Sequence, residues 1–447
     1  MKNEPSPDAS RPERQAMIVD LRRAVAETAR ERSIVVRVAG FLVLALAVWV
    51  ISRNVSWNDT LRIETADGAV EIEGQILGDW RDAEVGFSVP EARVAAESFA
   101  VPGLPAAAAA ALEDAVTPYA ELTLTEDELR AADGSVVAAT DGTSILRIEA
   151  RPGMLRAVSE MRIGRLLPAF GFLVIASLFV ATRWWRLLAL NGCPTRWYDA
   201  LRYTYAGLFF NTIVPGFNGG DVARAFAVVR NHPNRRADAL MTVVVDRAVG
   251  LVAMILIGTG FVLTADERLD AVKVPVAVFC AAVLIGGGLF FSGRVRRVVR
   301  FDGIVGRLPQ GERLLRLDAA AQRLMRRPLE MVIALTFSIA NHVFNGLAVM
   351  FAASALGSEL GFADWMATMA IANTLSSVPI SPGGLGVGEV LYGSLARSLG
   401  STYAIGVATS LVYRLCLYAL SLLGGVVMLL PSSRSEATAA PAGADPG

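Results

Sequence analysis

The sequence predicts an all-α polytopic membrane protein: six spanning helices and two re-entrant helical hairpins arranged as an inverted repeat, with an extracytoplasmic insert domain of α+β or mostly β character. Three observations carry this. The chain is 447 residues, 53% hydrophobic, with a mean hydropathy of +0.46, and its apolar residues fall in blocks long enough to span about 30 Å of hydrocarbon. Two apolar segments are broken by proline and paired glycine, at Val214-Pro215-Gly216-Phe217-Asn218-Gly219-Gly220-Asp221 and at Val378-Pro379-Ile380-Ser381-Pro382-Gly383-Gly384. Each break is followed, one apolar segment later, by an arginine, Arg247 or Arg414. A broken helix in lipid frees backbone groups that only protein or a wet cavity can satisfy, and a matched pair of breaks in two halves points to a transport site.

Charge gives the orientation. Formal net charge is zero, yet residues 54–160 hold 20 acidic and 7 basic side chains, so the remainder is positive. Residues 1–33 form a polar tail and a charged amphipathic helix, which predicts an uncleaved start with the N-terminus in the cytoplasm. The first span covers 34–51, with Trp49 and Trp57 at the far interface. Residues 52–162 form the outer domain: Leu61–Glu64 and Val70–Glu73 alternate as strands around an Asp67-Gly68 turn, Glu84–Val89 and Ser144–Ile148 are further strands, and Pro105–Val116 is a helix. It contains no histidine and no cysteine, so its expected role is structural or as a docking site for a protein partner.

The first membrane repeat covers 163–292. Leu166–Leu190 spans inward and ends at Arg183-Trp184-Trp185-Arg186, read as an interfacial belt. A re-entrant hairpin at 199–230 follows, then Ala239–Leu263 crosses outward and Val274–Phe291 returns. Residues 293–328 make a basic cytoplasmic linker of amphipathic helices. The second repeat, 329–430, crosses at Leu329–Leu356, carries the hairpin 364–400 with Trp365, Tyr392 and Tyr403 as interfacial anchors, and crosses back at Tyr403–Leu430. Residues 431–447 are a disordered cytoplasmic tail by composition.

The residues Phe209–Pro215, Gly219–Arg224, Asp246-Arg247 and Ser377–Glu389, in that order, resemble the lysylphosphatidylglycerol synthase transmembrane (flippase-like) family over roughly residues 160–430 and the first span. The resemblance implies a lipid flippase in the inner membrane. The C-terminal aminoacyltransferase domain of the bifunctional members is not expected here, since the chain ends about 17 residues past its last span, and the acidic insert is not part of the family's common core.

The candidate substrate-binding residues are Asn211, Asn218, Gly219, Gly220, Asp221, Arg224, Arg247, Ser377, Ser381, Gly383, Gly384, Glu389 and Arg414. Arg414 stands near mid-bilayer, where a charge costs at least ~2.5–3.5 kcal/mol, so Arg247 and Arg414 are expected to face a cavity or a partner, suited to a phospholipid phosphate. Half-helix N-termini after Gly220 and Gly384 would add backbone donors to the same anion. Asp221 reads as a helix cap or as a partner of Arg224, Arg247 or a lipid amine; Glu389 reads as a cap or as a partner of Arg414. The small polar residues at the breaks suit capping or headgroup contact, and His342 and Asn345 suit interhelical hydrogen bonds. No phosphate-binding loop for ATP is present, and two histidines set far apart give no metal site, so no catalytic residue, cofactor or nucleic-acid partner is expected. Two rival readings stay open: a membrane enzyme using Asp221 or Glu389 as general base on a lipid-linked substrate, and an envelope scaffold recruiting a partner through the outer domain.

Overall fold

The computed structural model describes residues 42–65, 68–89, 105–116, 120–125, 127–140, 144–213, 219–265, 269–307, 310–377 and 384–429. It opens on α1 (Leu42–Asn54), the C-terminal part of the first predicted span with the residues that follow it; residues 34–41 of that span lie outside the described set. Trp49 and Trp57 are exposed at that end.

The insert is a seven-stranded antiparallel sheet: β1 (Asp59–Thr65), β2 (Gly68–Leu77), β3 (Val85–Ser88), β4 (Glu121–Leu124), β5 (Glu128–Ala131), β6 (Val136–Ala139) and β7 (Ile145–Arg151). Strand order is β6-β5-β4-β3-β2-β1-β7. The predicted β1–β2 hairpin forms with Thr65 opposite Gly68, although Asp67 of its turn is outside the described residues. Period-two alternation puts Leu61, Ile63, Ile72, Ile76, Phe87, Leu122 and Leu129 on one face, covered by Leu112 of α2 (Ala106–Ala115). Gly74 is required where it stands, because a Cβ there would meet the Phe87 ring at 2.5 Å. Strands β4–β6 go beyond the sequence expectation.

Asp59 ties this domain to the first turn of the helix after it. Buried, it accepts the Ile76 and Gly153 amides at 2.9 Å and Arg156 Nε at 2.8 Å. Arg156, on α3 (Met154–Ser159), also reaches the Ile76 carbonyl at 2.7 Å and Glu160 at 2.6 Å.

Among the described residues, five helices are long and apolar enough to cross a membrane. They are α4 (Leu166–Leu190) with its preceding turn, α7 (Arg236–Thr264), α8 (Asp270–Phe291), α12 (Pro328–Ala355) and α15 (Tyr403–Leu429). The broken segments form two pairs of shorter helices, α5 (Trp197–Ile213) with α6 (Gly219–Asn231), and α13 (Phe362–Ser376) with α14 (Val387–Ser398). At 1.5 Å per residue these reach only about 18–25 Å. The linker forms α9 (Gly293–Val299), α10 (Phe301–Gly306) and α11 (Gly311–Met325), tied by Arg296 to Asp318 at 2.6 Å. The buried side of α11, Ala321 and Leu324, packs on Leu187 and Val245.

α4 and α12 form the central pair, joined by a run of phenylalanines in which Phe172 and Phe179 both lie against Phe344. Around it the short pairs cross over: α5 packs on α15 and α6 on α7, while α13 packs on α7 and α14 on α15. Close approach explains the glycines here. A Cβ on Gly424 would meet the Tyr205 carbonyl at 2.6 Å, and one on Gly258 would meet Ala370 at 2.6 Å.

Two aromatic assignments are corrected. Trp365 and Tyr392 are fully buried, with rings stacked 6.5 Å apart, and Tyr403 is buried as well; they fill the α13–α14–α15 core and are not interfacial anchors. Trp184, expected in an interfacial belt, is also fully buried, with its indole donating to Thr242. In both places helix packing removes more aromatic surface from contact with solvent or lipid than an interfacial position would.

Candidate functional site

A polar cavity of about 540 Å³ opens among α4, α5, α6, α7, α12, α13 and α15. Its charged lining is Arg183, Arg224, Asp246 and Arg247, with Asn211, Asn341, His342, Asn345 and Asn373 among the neutral polar groups. Asp246 is its buried centre: fully inaccessible, it accepts Arg183 Nε at 2.7 Å and Arg224 Nη2 at 3.1 Å. Arg183 also donates to Ser338 Oγ at 2.6 Å. The Arg224 guanidinium lies 4.0 Å from the centroid of the Trp184 ring, a cation–π contact inside the bundle.

Arg247, one residue on, leaves this buried set. Its side chain is half exposed and pairs with Asp221 at 2.7 Å, while Arg224 stands 3.9 Å from the same carboxylate. Thus Asp221, in the first turn of α6, takes both of the arginines expected as its partners. Asn211 Oδ1 accepts the Gly220 amide at 2.7 Å, so the end of α5 caps the start of α6 across the break. Gly207 and Gly220 allow this approach: a Cβ on Gly220 would lie 2.0 Å from the Gly207 carbonyl. Three guanidiniums (Arg183, Arg224, Arg247) against two carboxylates (Asp221, Asp246) leave one uncompensated positive charge.

A second cavity of about 250 Å³ adjoins the first and shares Asn373, Ser377 and Tyr413 with it. Its cation is Arg414, which pairs with buried Glu389 at 2.9 Å. Glu389 also accepts the Gly386 amide at 2.6 Å, so it is both a helix cap and an ion-pair partner. Tyr413 donates to Asn345 at 2.8 Å and His342 to the Gly250 carbonyl at 2.9 Å, the expected interhelical bonds.

Of the candidate residues, Asn211, Gly220, Arg224, Arg247 and Ser377 line the larger cavity, and Ser377 and Arg414 the smaller. Asp221 and Glu389 join them through ion pairs. Gly219 opens α6. Gly384, at φ +69°, turns the chain beside Ser376 without lining either cavity. Asn218, Ser381 and Gly383 lie outside the described residues. Two members escape the sequence pattern. Arg183, expected in the interfacial belt, is instead buried seven residues before the end of α4 and holds Asp246. Asp246 stands out in the sequence only as the neighbour of Arg247; the signal for both is an acid and a base set inside apolar runs, which need each other. Among the described residues no cluster of histidine, cysteine and carboxylate could hold a metal ion.

No curated protein matches the chain significantly. Residues 153–425, more than half of the sequence and all of both cavities, match the family described as the lysylphosphatidylglycerol synthase TM region. The protein is therefore a multi-pass membrane protein with a lipid-related membrane domain, and it belongs to the lysylphosphatidylglycerol synthase transmembrane family.

Proposed function

We propose that the protein is a lipid flippase of the inner membrane, moving a phospholipid-type headgroup between leaflets through the two adjoining cavities. The observation that carries this reading is their continuity: Asn373, Ser377 and Tyr413 belong to both, with Arg247 on one side and Arg414 on the other. Guanidiniums suit a phosphate, and the cavity opening between helices lets acyl tails stay in lipid. α5–α6 and α13–α14 act as re-entrant hairpins from opposite faces. Their short helices and their crossed packing on α15 and α7 support an inverted repeat, because each hairpin meets the arginine-bearing helix of both halves. Both termini are cytoplasmic and the β domain lies outside, as the arginine-rich flanks argue.

Transport is favoured over catalysis by the state of the carboxylates. Asp246 is held by two arginines, Asp221 by Arg247, and Glu389 by Arg414 and the Gly386 amide. Each is engaged by at least one guanidinium, an arrangement that suits holding charge and packing helices. The test is translocation of labelled phospholipids in reconstituted vesicles. Arg247→Ala/Arg414→Ala is expected to abolish it; equal translocation by this variant and the wild type sinks the mechanism.

A further inference from the structure

The linker α9–α11 divides into a part spent on the protein and a part left outside it. α11 turns its apolar side inward, with Ala320, Ala321 and Leu324 buried. The apolar residues of α9 and α10 meet the opposite fate: Val298 is 84% exposed, Val299 51% and Ile304 52%. They stand among cations. Arg294, Arg297 and Val298 share one face of α9 at three- and four-residue spacing, and all three are exposed, while Val295 and Arg296 on the other side are half-buried. Ile304 of α10 lies one helical turn from exposed Arg300 and Arg307.

The charge here does not cancel. Residues 293–327 hold ten arginines and three acids, Asp302, Glu312 and Asp318. Asp302 and Asp318 both serve Arg296, at 3.2 and 2.6 Å. Glu312 lies on α11, whose Arg313 and Arg316 outnumber it. Of the acids on neighbouring elements, Asp238 pairs with Arg323 and Glu330 with Arg186. Among the described residues, no carboxylate pairs with Arg294, Arg297, Arg300 or Arg307.

The end of the preceding span fixes the depth of this surface. α8 has 22 residues, a length of about 33 Å that matches a hydrocarbon layer of about 30 Å, and Cys280 is its one buried residue. α9 begins two residues after α8 ends. Phe301, the first residue of α10, folds back to 5.7 Å from the Phe290 ring in the last turn of α8, so α10 stands level with the end of the span. Arg296 locks the arrangement, with its guanidinium 4.0 Å from the Phe301 ring centroid and its ion pair to Asp318 of α11. An exposed face that is both apolar and cationic, at the level where hydrocarbon meets headgroups, suits a negatively charged lipid surface.

We propose that α9–α10 is a docking surface for anionic phospholipids. The two α9 valines and Ile304 enter the acyl boundary, and Arg294, Arg297, Arg300 and Arg307 meet headgroup phosphates. The surface shares no residue with either cavity, and the proposal does not depend on the transport reading.

The experiment is hydrogen–deuterium exchange on the full chain in nanodiscs of phosphatidylcholine alone and of equal parts phosphatidylcholine and phosphatidylglycerol. Exchange across residues 293–307 is expected to slow at least about threefold when phosphatidylglycerol is present. Arg294→Glu/Arg297→Glu should abolish this difference, and Val298→Ser should at least halve it. These are exposed positions without ion pairs, and unchanged exchange at β1 and β2 checks that the fold is kept. Arg130→Glu, the same charge change on β5, should leave the difference intact. Equal exchange in the two nanodiscs, as a protein segment covering the surface would give, overturns the proposal. So does a difference that survives either α9 variant at full size, or one lost equally in Arg130→Glu. Loss of translocation with the difference intact counts against the flippase reading alone.

Discussion

Asp246→Asn tests the buried cluster most directly. The substitution keeps the shape of the side chain and removes its charge, leaving Arg183 and Arg224, both about 4% exposed, to share a neutral amide. Removing one partner of a buried ion pair costs about 3–5 kcal/mol, because the remaining charge stays desolvated. Here the lower end applies: Arg183 keeps Ser338 at 2.6 Å, and Arg224 keeps the Trp184 face and Asp221 at 3.9 Å. A loss of about 3 kcal/mol corresponds to a melting point lower by roughly 6–12 °C, at ~2–4 °C per kcal/mol. The assay is thermal denaturation of purified protein in one detergent, followed by circular dichroism. A companion variant, Arg183→Met/Asp246→Leu/Arg224→Met, removes all three charges at similar volume and should recover most of that loss, since apolar replacement of a whole buried ion set is often neutral or stabilising. It should nevertheless fail to translocate lipid. A melting point for Asp246→Asn within about 2 °C of wild type, less than ~1 kcal/mol, would refute the buried-pair argument. So would a triple variant that melts below the single one.

Gly207→Ala places a Cβ 2.9 Å from Arg224 Cδ and 3.1 Å from the Gly220 carbonyl, so overpacking of about 1–3 kcal/mol and a displaced Arg224 are expected. Translocation should fall further than thermal stability does, which parallel vesicle and melting measurements would reveal. Tyr413→Phe removes the bond to Asn345 and should cost about 1 kcal/mol while slowing translocation, measured in the same vesicles. Arg156→Ala deprives buried Asp59 of its cation and the Ile76 carbonyl of a donor; a loss of about 3 kcal/mol in the β domain is expected, read by exchange at β1 and β2.

Element positions are legible where hydropathy and breakers act together. Leu166–Leu190 forms the helix expected of it, and α5 with α6, like α13 with α14, are separate helices whose described ends flank the expected breaks. β1–β2 is legible because LRIE and VEIE alternate over a turn. β4, β5 and β6 are not: ELTL, ELRA and VVAA are four-residue strands with weak alternation, fixed by pairing to β3 and to one another. The ion pairs show the same division. Arg414 with Glu389 is expected from two charges near glycine breaks, whereas Arg183 with Asp246 joins helices 63 residues apart through a fold that no local pattern encodes.

The neutral join between the two cavities has a consequence for rate. Asn373, Ser377 and Tyr413 carry no charge there, so an anion travelling the proposed route leaves one attractive well, passes over amide and hydroxyl groups, and drops into the next. Two shallow wells divide a single tall solvation barrier into smaller steps, provided neither is deep enough to trap its cargo. Asp221 and Glu389 set that depth by competing for the guanidiniums that the cargo must release.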